Sequence, residues 1–70
     1  MNKVLYYVSF NETSEIEGRI FYADENYPVL ERDENYVILC GENGDFCFSN
    51  SLIKEAISEW ELKVTQVGDL

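Results

Sequence analysis

Two cysteines and many carboxylates are the residues of this chain that could do chemistry, and histidine is absent from it. Without histidine, the commonest general base and the commonest metal ligand are missing. Cys40 and Cys47 flank the pair Asn43-Gly44. An Asn-Gly pair between apolar runs predicts a two-residue hairpin loop of type I′. Counting outward from that loop places Cys40 opposite Cys47.

This register leaves three interpretations of the cysteine pair. A hydrogen-bonded cross-strand pair has Cα atoms about 5.5 Å apart, which is within the range of a disulfide. Two thiolates would also be half of a metal site, but zinc needs further ligands and no histidine can supply one. The third interpretation is a pair of small buried thiols, and we favour it because free cysteines prefer burial. We therefore predict no metal site and no cofactor.

The carboxylates are numerous, but no two of them are set apart for catalysis. Fourteen acids against five bases give a net charge of −9. Glycosidase chemistry needs two carboxyls across a cleft, and a calcium loop needs spaced ligands around a fixed glycine. The sequence shows neither pattern, so we expect no enzyme. The charge argues against direct binding of nucleic acid or of an anionic membrane, and it suits either solubility or a basic partner.

Residues 19–49 carry the strand pattern that must position these groups. Acidic, Asn-bearing turns recur there every nine residues, at Asp24-Glu25-Asn26, Asp33-Glu34-Asn35 and Glu42-Asn43-Gly44. Asn and Asp suit turns because they tolerate left-handed backbone and bond locally to it. We interpret the stretch as a β-meander, with strands at 19–23, 27–32 and 36–41.

The flanking segments complete a single small domain, 1–70. Alternating apolar residues predict strands at 4–10 and 61–67, and residues 11–17 read as a polar loop. Apolar residues spaced three and four apart predict a helix near 51–60, preceded by the capping side chains of Ser49-Asn50-Ser51. The fold class that follows is mainly β, bordering on α+β, with five to six strands and one short helix.

Residues 18–53 also carry a series of barrel-like features. These are Gly18-Arg19, Val29-Leu30, Tyr36-Val37-Ile38, Asn43-Gly44, Phe46, Phe48 and Ser51-Leu52-Ile53. In this order they resemble small SH3-like barrel proteins of bacteria and phages, most of which are uncharacterised. The resemblance implies a small antiparallel SH3-like barrel and a phage-like or regulatory origin. It transfers no functional residue.

Surplus apolar and aromatic surface is the main indication of function. We expect a non-enzymatic protein-binding or regulatory module that contacts a partner protein through an apolar or aromatic sheet face. The partner would be basic or itself DNA-binding, and self-association into a homodimer is an alternative. The candidate contact residues are Tyr7, Tyr22, Tyr27, Tyr36, Trp60, Asp24, Glu25, Asp33, Glu34 and Glu42.

A DNA mimic is the alternative function. Alternate turns of a meander lie at opposite ends, and carboxylates gathered there can imitate phosphates in the basic groove of a DNA-binding protein. One predicted cluster is Glu12, Glu15, Glu17, Asp33 and Glu34, and the other is Asp24, Glu25, Glu42 and Asp45. No run is long enough for a membrane span, and the first residues lack the pattern of a signal peptide. We therefore expect a cytoplasmic location, in the host if the chain is phage-encoded.

Overall fold

A computed structural model describes residues 3–70, so Met1 and Asn2, which begin the segment considered for a signal peptide, lie outside the described residues. Within residues 3–70 the chain forms seven strands and one α-helix, which confirms the mainly β fold class with one more strand than the upper expected number. The elements are β1 (Val4–Ser9), β2 (Ser14–Ile16), β3 (Arg19–Phe21), β4 (Tyr27–Glu31), β5 (Tyr36–Cys40), β6 (Asp45–Ser49), α1 (Asn50–Glu59) and β7 (Lys63–Gln66), followed by a 3₁₀ turn at Val67–Asp69.

Five of the strands form one antiparallel sheet in the order β6-β5-β4-β1-β7. The consecutive strands β4, β5 and β6 are the predicted meander, and β1 lies between β4 and β7. Strands β2 and β3 form a separate hairpin. In the strand pairing of residues 3–70, β6 and β7 are the edges of the large sheet, and closure into a barrel stays a prediction.

The strands before and after the turn at 24–26 belong to different sheets, so they do not pair with one another. β3 pairs with β2, whereas β4 pairs with β1 and β5. Asp24 has φ 64°, and its N–H donates to the carbonyl of Phe10 at 3.0 Å. The meander therefore begins at β4, and the prediction that it begins at Arg19 is wrong.

The β2–β3 hairpin has the type I′ turn that was expected elsewhere. Ile16 pairs with Arg19, so Glu17 and Gly18 are the loop. Their φ angles are 48° and 83°, and positive φ at both central residues is what a type I′ turn requires. The prediction of a polar loop over 11–17 is therefore wrong at its second half.

The core lies between the inner side of the large sheet and a layer made of α1 and the β2–β3 hairpin. Phe10 and Phe21 stack in it with ring centroids 4.8 Å apart. Burying large aromatic rings supplies much of the apolar stabilisation of so short a chain. The buried residues are Val8, Phe10, Phe21, Tyr27, Val29, Val37, Leu39, Phe48, Ile53, Ala56 and Leu62.

Helix α1 begins and ends with hydrogen-bonded caps. The Ser49 hydroxyl accepts a bond from the Leu52 N–H at 3.2 Å, so Ser49 is the N-cap. At the other end, Leu62 N–H donates to Ile57 O at 2.9 Å and Glu61 N–H to Ser58 O at 3.3 Å. This is the bonding of a Schellman motif. The predicted helix is confirmed, with its start one residue earlier.

Candidate binding surfaces

The register of β5 and β6 separates the two cysteines. Cys40 pairs with Asp45, and Cys47 pairs with Ile38. Gly41 N–H donates to Gly44 O at 2.9 Å, so the 41–44 loop is closed with Glu42 and Asn43 at its centre. The prediction that Asn43 and Gly44 are the two loop residues is therefore wrong. The predicted pairing of Cys40 with Cys47 is wrong as well, because the partner of Cys40 lies two residues earlier on β6. An even shift keeps every side chain on its predicted face, because strand side chains alternate with a period of two.

The Asn43 side chain explains the change of register. Its Oδ1 accepts a bond from the Ile20 N–H at 2.8 Å, and its Nδ2 donates to Gly18 O at 2.9 Å. Glu42 N–H also donates to Ile20 O at 2.9 Å. Each bond contributes about 1 kcal/mol, and all three favour the observed register. The loop is therefore bound to the edge of β3.

Apolar side chains cover the side of the large sheet that faces away from α1 and the hairpin. Strand pairing puts Val4, Leu30, Ile38 and Cys47 in one row across four strands. Their neighbours along the strands, such as Val29 and Leu39, are the fully buried ones. All members of this surface are at least partly exposed. We call it the outer face, and it consists of Val4, Tyr7, Pro28, Leu30, Tyr36, Ile38, Cys40 and Cys47.

Arg32 lies at the edge of the outer face and is bound to two of its members. Its Nη1 donates to Cys47 Sγ at 3.1 Å, and its guanidinium carbon lies 5.8 Å from the centre of the Tyr36 ring. Cys40 and Cys47 are free thiols. Burial raises the pKa of the Cys40 thiol, and the charge and hydrogen bond of Asp45 raise this pKa further. Cys40 is therefore a neutral thiol that packs as an apolar group.

The candidate aromatic residues are divided among several places. Tyr7 and Tyr36 lie on the outer face, and Tyr36 is 44% exposed. Tyr22 is 48% exposed beside the 24–26 connection, and Trp60 is 37% exposed at the end of α1. The structure does not bring them into one groove. Tyr7 and Tyr36 are the two that share a surface.

Tyr27 is a core residue, which corrects its place among the contact candidates. It is 4% exposed, and its ring packs edge-on against Phe10 and Phe21. Its hydroxyl accepts a bond from Tyr22 N–H at 2.6 Å and donates to Glu42 Oε2 at 2.8 Å. Tyr27 therefore holds the core and the 41–44 loop together and offers no surface to a partner.

The candidate acids Asp24, Glu25, Asp33, Glu34 and Glu42 are all exposed. Asp33 Oδ1 accepts bonds from Asn35 N–H at 2.8 Å and from Tyr36 N–H at 3.0 Å, so Asp33 also shapes its turn.

The predicted grouping of the acids is wrong for Glu12 and for Glu17. Glu12 lines a cleft with Glu59 at the C-terminal end of α1, whereas the Glu34 carbonyl accepts a bond from the Asn50 side chain at the helix start. The Gly18 carbonyl is bound by Asn43, so the turn that carries Glu17 lies beside Glu42 and not beside Asp33.

A cleft at the C-terminal end of α1 is a feature that the sequence interpretation missed. Its volume is about 360 Å³. The Asn11 side chain donates to Glu61 O at 3.1 Å and holds two of its walls together. The signal in the sequence was Glu59-Trp60-Glu61, with an acid on each side of the sole tryptophan. The cleft is lined by Phe10, Asn11, Glu12, Ser14, Ile16, Glu59, Trp60 and Glu61.

In residues 3–70, no group of three or more Cys, Asp or Glu side chains is arranged to hold a metal ion. No helix in the same residues is long and apolar enough to cross a bilayer.

Comparison with known proteins finds no matching family model, no matching curated protein and no matching solved structure.

Proposed function

We propose that this chain is a non-enzymatic protein-binding module that contacts its partner through the outer face. The observation that carries the proposal is the row of Val4, Leu30, Ile38 and Cys47, which crosses four strands on the side away from the core. An antiparallel sheet with one solvated face normally alternates apolar and polar residues. Contiguous apolar surface on a small protein marks interaction sites.

The partner would have an apolar centre and a basic rim. The acids nearest to the outer face are Asp45 within the sheet and the exposed pair Asp33 and Glu34 in the turn before Tyr36. Complementary charge favours a partner with Lys or Arg opposite these acids and with an acid opposite Arg32, which lies at the edge of the same face. A second copy of the chain fits less well, because each copy carries a net charge of −9.

An SH3-like barrel architecture is part of the same proposal. It is supported by the meander of β4, β5 and β6 and by the position of β1 between β4 and β7 in the sheet. The β2–β3 hairpin, which follows β1 and precedes β4 along the chain, supports it as well. A bacterial or phage origin, a regulatory role and a cytoplasmic location complete it, and these rest on the sequence.

The outer face is tested by capturing a binding protein from bacterial lysate with the wild type and with two matched variants. Quantitative mass spectrometry measures how much of the protein each one captures. Leu30→Lys puts a charge in the middle of the apolar row. Leu52→Lys makes the same change on α1, where Leu52 is 54% exposed. Burying an unpaired charge is costly, so we expect L30K to lose the captured protein and L52K to keep it.

The proposal would be contradicted if L30K captured as much of the protein as the wild type does. It would also be contradicted if L52K lost as much of the captured protein as L30K does. Circular dichroism must show that both variants are folded. The complex should weaken little when salt is raised, because apolar contacts are not screened as charge pairs are.

The DNA mimic stays a second hypothesis with less support. Glu17, Glu42 and Asp45 lie towards one end of the molecule, and Asp33 and Glu34 towards the other. A mimic would be favoured if the captured protein were displaced by duplex DNA and released steeply by salt.

A further inference from the structure

We propose that the cleft at the C-terminal end of α1 binds an arginine side chain of a polypeptide partner. This site is separate from the outer face: it is built from the 10–16 segment and residues 59–61, which pack on the inner side of the sheet. It does not depend on the function proposed above.

An aromatic wall at a fixed position is the first observation. Trp60 is 37% exposed, and its ring lies 6.3 Å from that of Phe10 and 6.2 Å from that of Phe48, between centroids. Two neighbouring rings therefore hold the indole in place while part of it stays open. The cleft volume of about 360 Å³ lies at the small end of ligand pockets, which span roughly 300–1,000 Å³. It suits one long side chain.

The charge of the cleft is the second observation. Glu12, Glu59 and Glu61 line it, and no Lys or Arg is among its lining residues. The C-terminal end of a helix carries a partial negative charge that a cation stabilises. The last turn of α1 has no basic residue to supply that cation. The last carbonyls of α1 are already bonded in its Schellman motif, so a positive group from outside the chain would meet the carboxylates.

The combination of an aromatic ring and carboxylates selects a guanidinium. Arginine is planar, stacks on aromatic faces and donates several N–H bonds in a fixed fork that matches carboxylates. A cation over tryptophan is stabilised by the negative face of the ring. Lysine would gain the charge attraction but lack the planar stacking.

The binding test uses the indole N–H signal of Trp60, which is unique because the chain has one tryptophan. The probe is Gly-Arg-Gly blocked at both ends, titrated into the ¹⁵N-labelled full chain. Its comparators replace Arg with citrulline, which is uncharged and nearly isosteric, or with Lys. We expect a saturable shift with Arg and binding weaker by about fivefold or more with citrulline, because the ion pairs and the cation–π contact are lost.

Two glutamine variants test the carboxylates. Glu59→Gln and Glu61→Gln should each raise the Kd for the Arg peptide by about twofold to fivefold, the size of an exposed ion pair. Glu34→Gln removes the same charge beyond the N-terminal end of α1, about 15 Å away for a helix of this length, and it should leave the Kd unchanged. Unfolding in urea shows whether each variant is folded.

Three results would overturn the proposal: no saturable shift of the Trp60 signal, citrulline or Lys peptides binding as tightly as the Arg peptide, or equal weakening by Glu34→Gln.

Discussion

Cys40 and Cys47 lie diagonally to one another on the outer face, because Cys40 pairs with Asp45 and Cys47 pairs with Ile38. Both thiols are free, Cys47 is exposed, and Cys40 is half-buried. Burial and Asp45 raise the pKa of Cys40, which disfavours its reactive thiolate. The two cysteines should therefore differ in reactivity.

We expect iodoacetamide to alkylate Cys47 at least about fivefold faster than Cys40 at pH 8, because reactivity follows exposure and thiolate character. Timed quenching and mass spectrometry of the two peptides measure the rates. In concentrated urea the rates should converge, since the folded environment is then removed. A disulfide between the two cysteines in the native protein would contradict the register.

Gly41 lies where a side chain would collide with the core. A Cβ there would be 3.0 Å from Cε1 of Phe21 and 3.1 Å from the carbonyl oxygens of Gly44 and Ile20. Gly41→Ala should therefore lower the free energy of unfolding by about 1–3 kcal/mol, as overpacking does. Gly68→Ala is the matched control, because a Cβ at Gly68 meets no atom within 4 Å. Urea unfolding measures both, and equal stabilities would show that the 41–44 loop yields easily.

The features that could be predicted from the sequence depend on neighbours along the chain. The apolar runs of β4 and β5 and the spacing of Ile53, Ala56 and Ile57 are local signals, and the strands and α1 follow them. The alternation of inner and outer side chains on β5 and β6 was also predictable. It holds because the true register differs from the predicted one by an even number of residues.

The features that could not be predicted depend on partners far along the chain. Asn43 is bound by Gly18 and Ile20, which lie 25 and 23 residues away. Tyr27 is buried against Phe10 and Phe21, and its hydroxyl bonds to Glu42, which lies 15 residues away. The cleft joins residues 10–16 to residues 59–61, and no local pattern reports that they meet.

Glu61 lies in the left-handed conformation that closes the Schellman motif of α1, with φ 53°. This position usually carries glycine. Glu61→Gly should raise the free energy of unfolding by about 0.5–1 kcal/mol, because an L-residue is strained there. Thermal and urea unfolding measure the change.

Glu59→Gly is the matched control, because Glu59 is the last residue of α1. Glycine inside a helix costs up to about 1 kcal/mol, so the control should have the opposite sign. If both substitutions changed the free energy of unfolding in the same direction, the left-handed conformation of Glu61 would not be strained. Since Glu61 also lines the cleft, Glu61→Gly should gain stability and lose affinity for the Arg peptide.

Tyr27 should couple stability to alkaline pH. Burial raises the pKa of its hydroxyl, and the hydrogen bond to Glu42 and the charges of Glu42 and Glu25 raise it as well, although the bond from Tyr22 N–H lowers it. The pKa is then higher in the folded chain than in the unfolded chain, where it is about 10. The stabilisation that Tyr27 contributes is fully present below the unfolded pKa and is lost as the pH rises through the folded pKa.

Tyr27→Phe removes both hydrogen bonds of the hydroxyl and should cost about 1–3 kcal/mol at pH 8. The stability difference between wild type and Tyr27→Phe should shrink above pH 10, because the phenol of Tyr27 then ionises in the unfolded chain while it stays protonated in the folded chain, which favours unfolding. Urea unfolding at a series of pH values measures this difference. Tyr22→Phe is the control, because the Tyr22 side chain is 48% exposed. The Tyr27 hydroxyl accepts its bond from the backbone N–H of Tyr22, which this substitution keeps. A stability difference that stays constant from pH 8 to pH 11 would mean that Tyr27 does not titrate with unfolding.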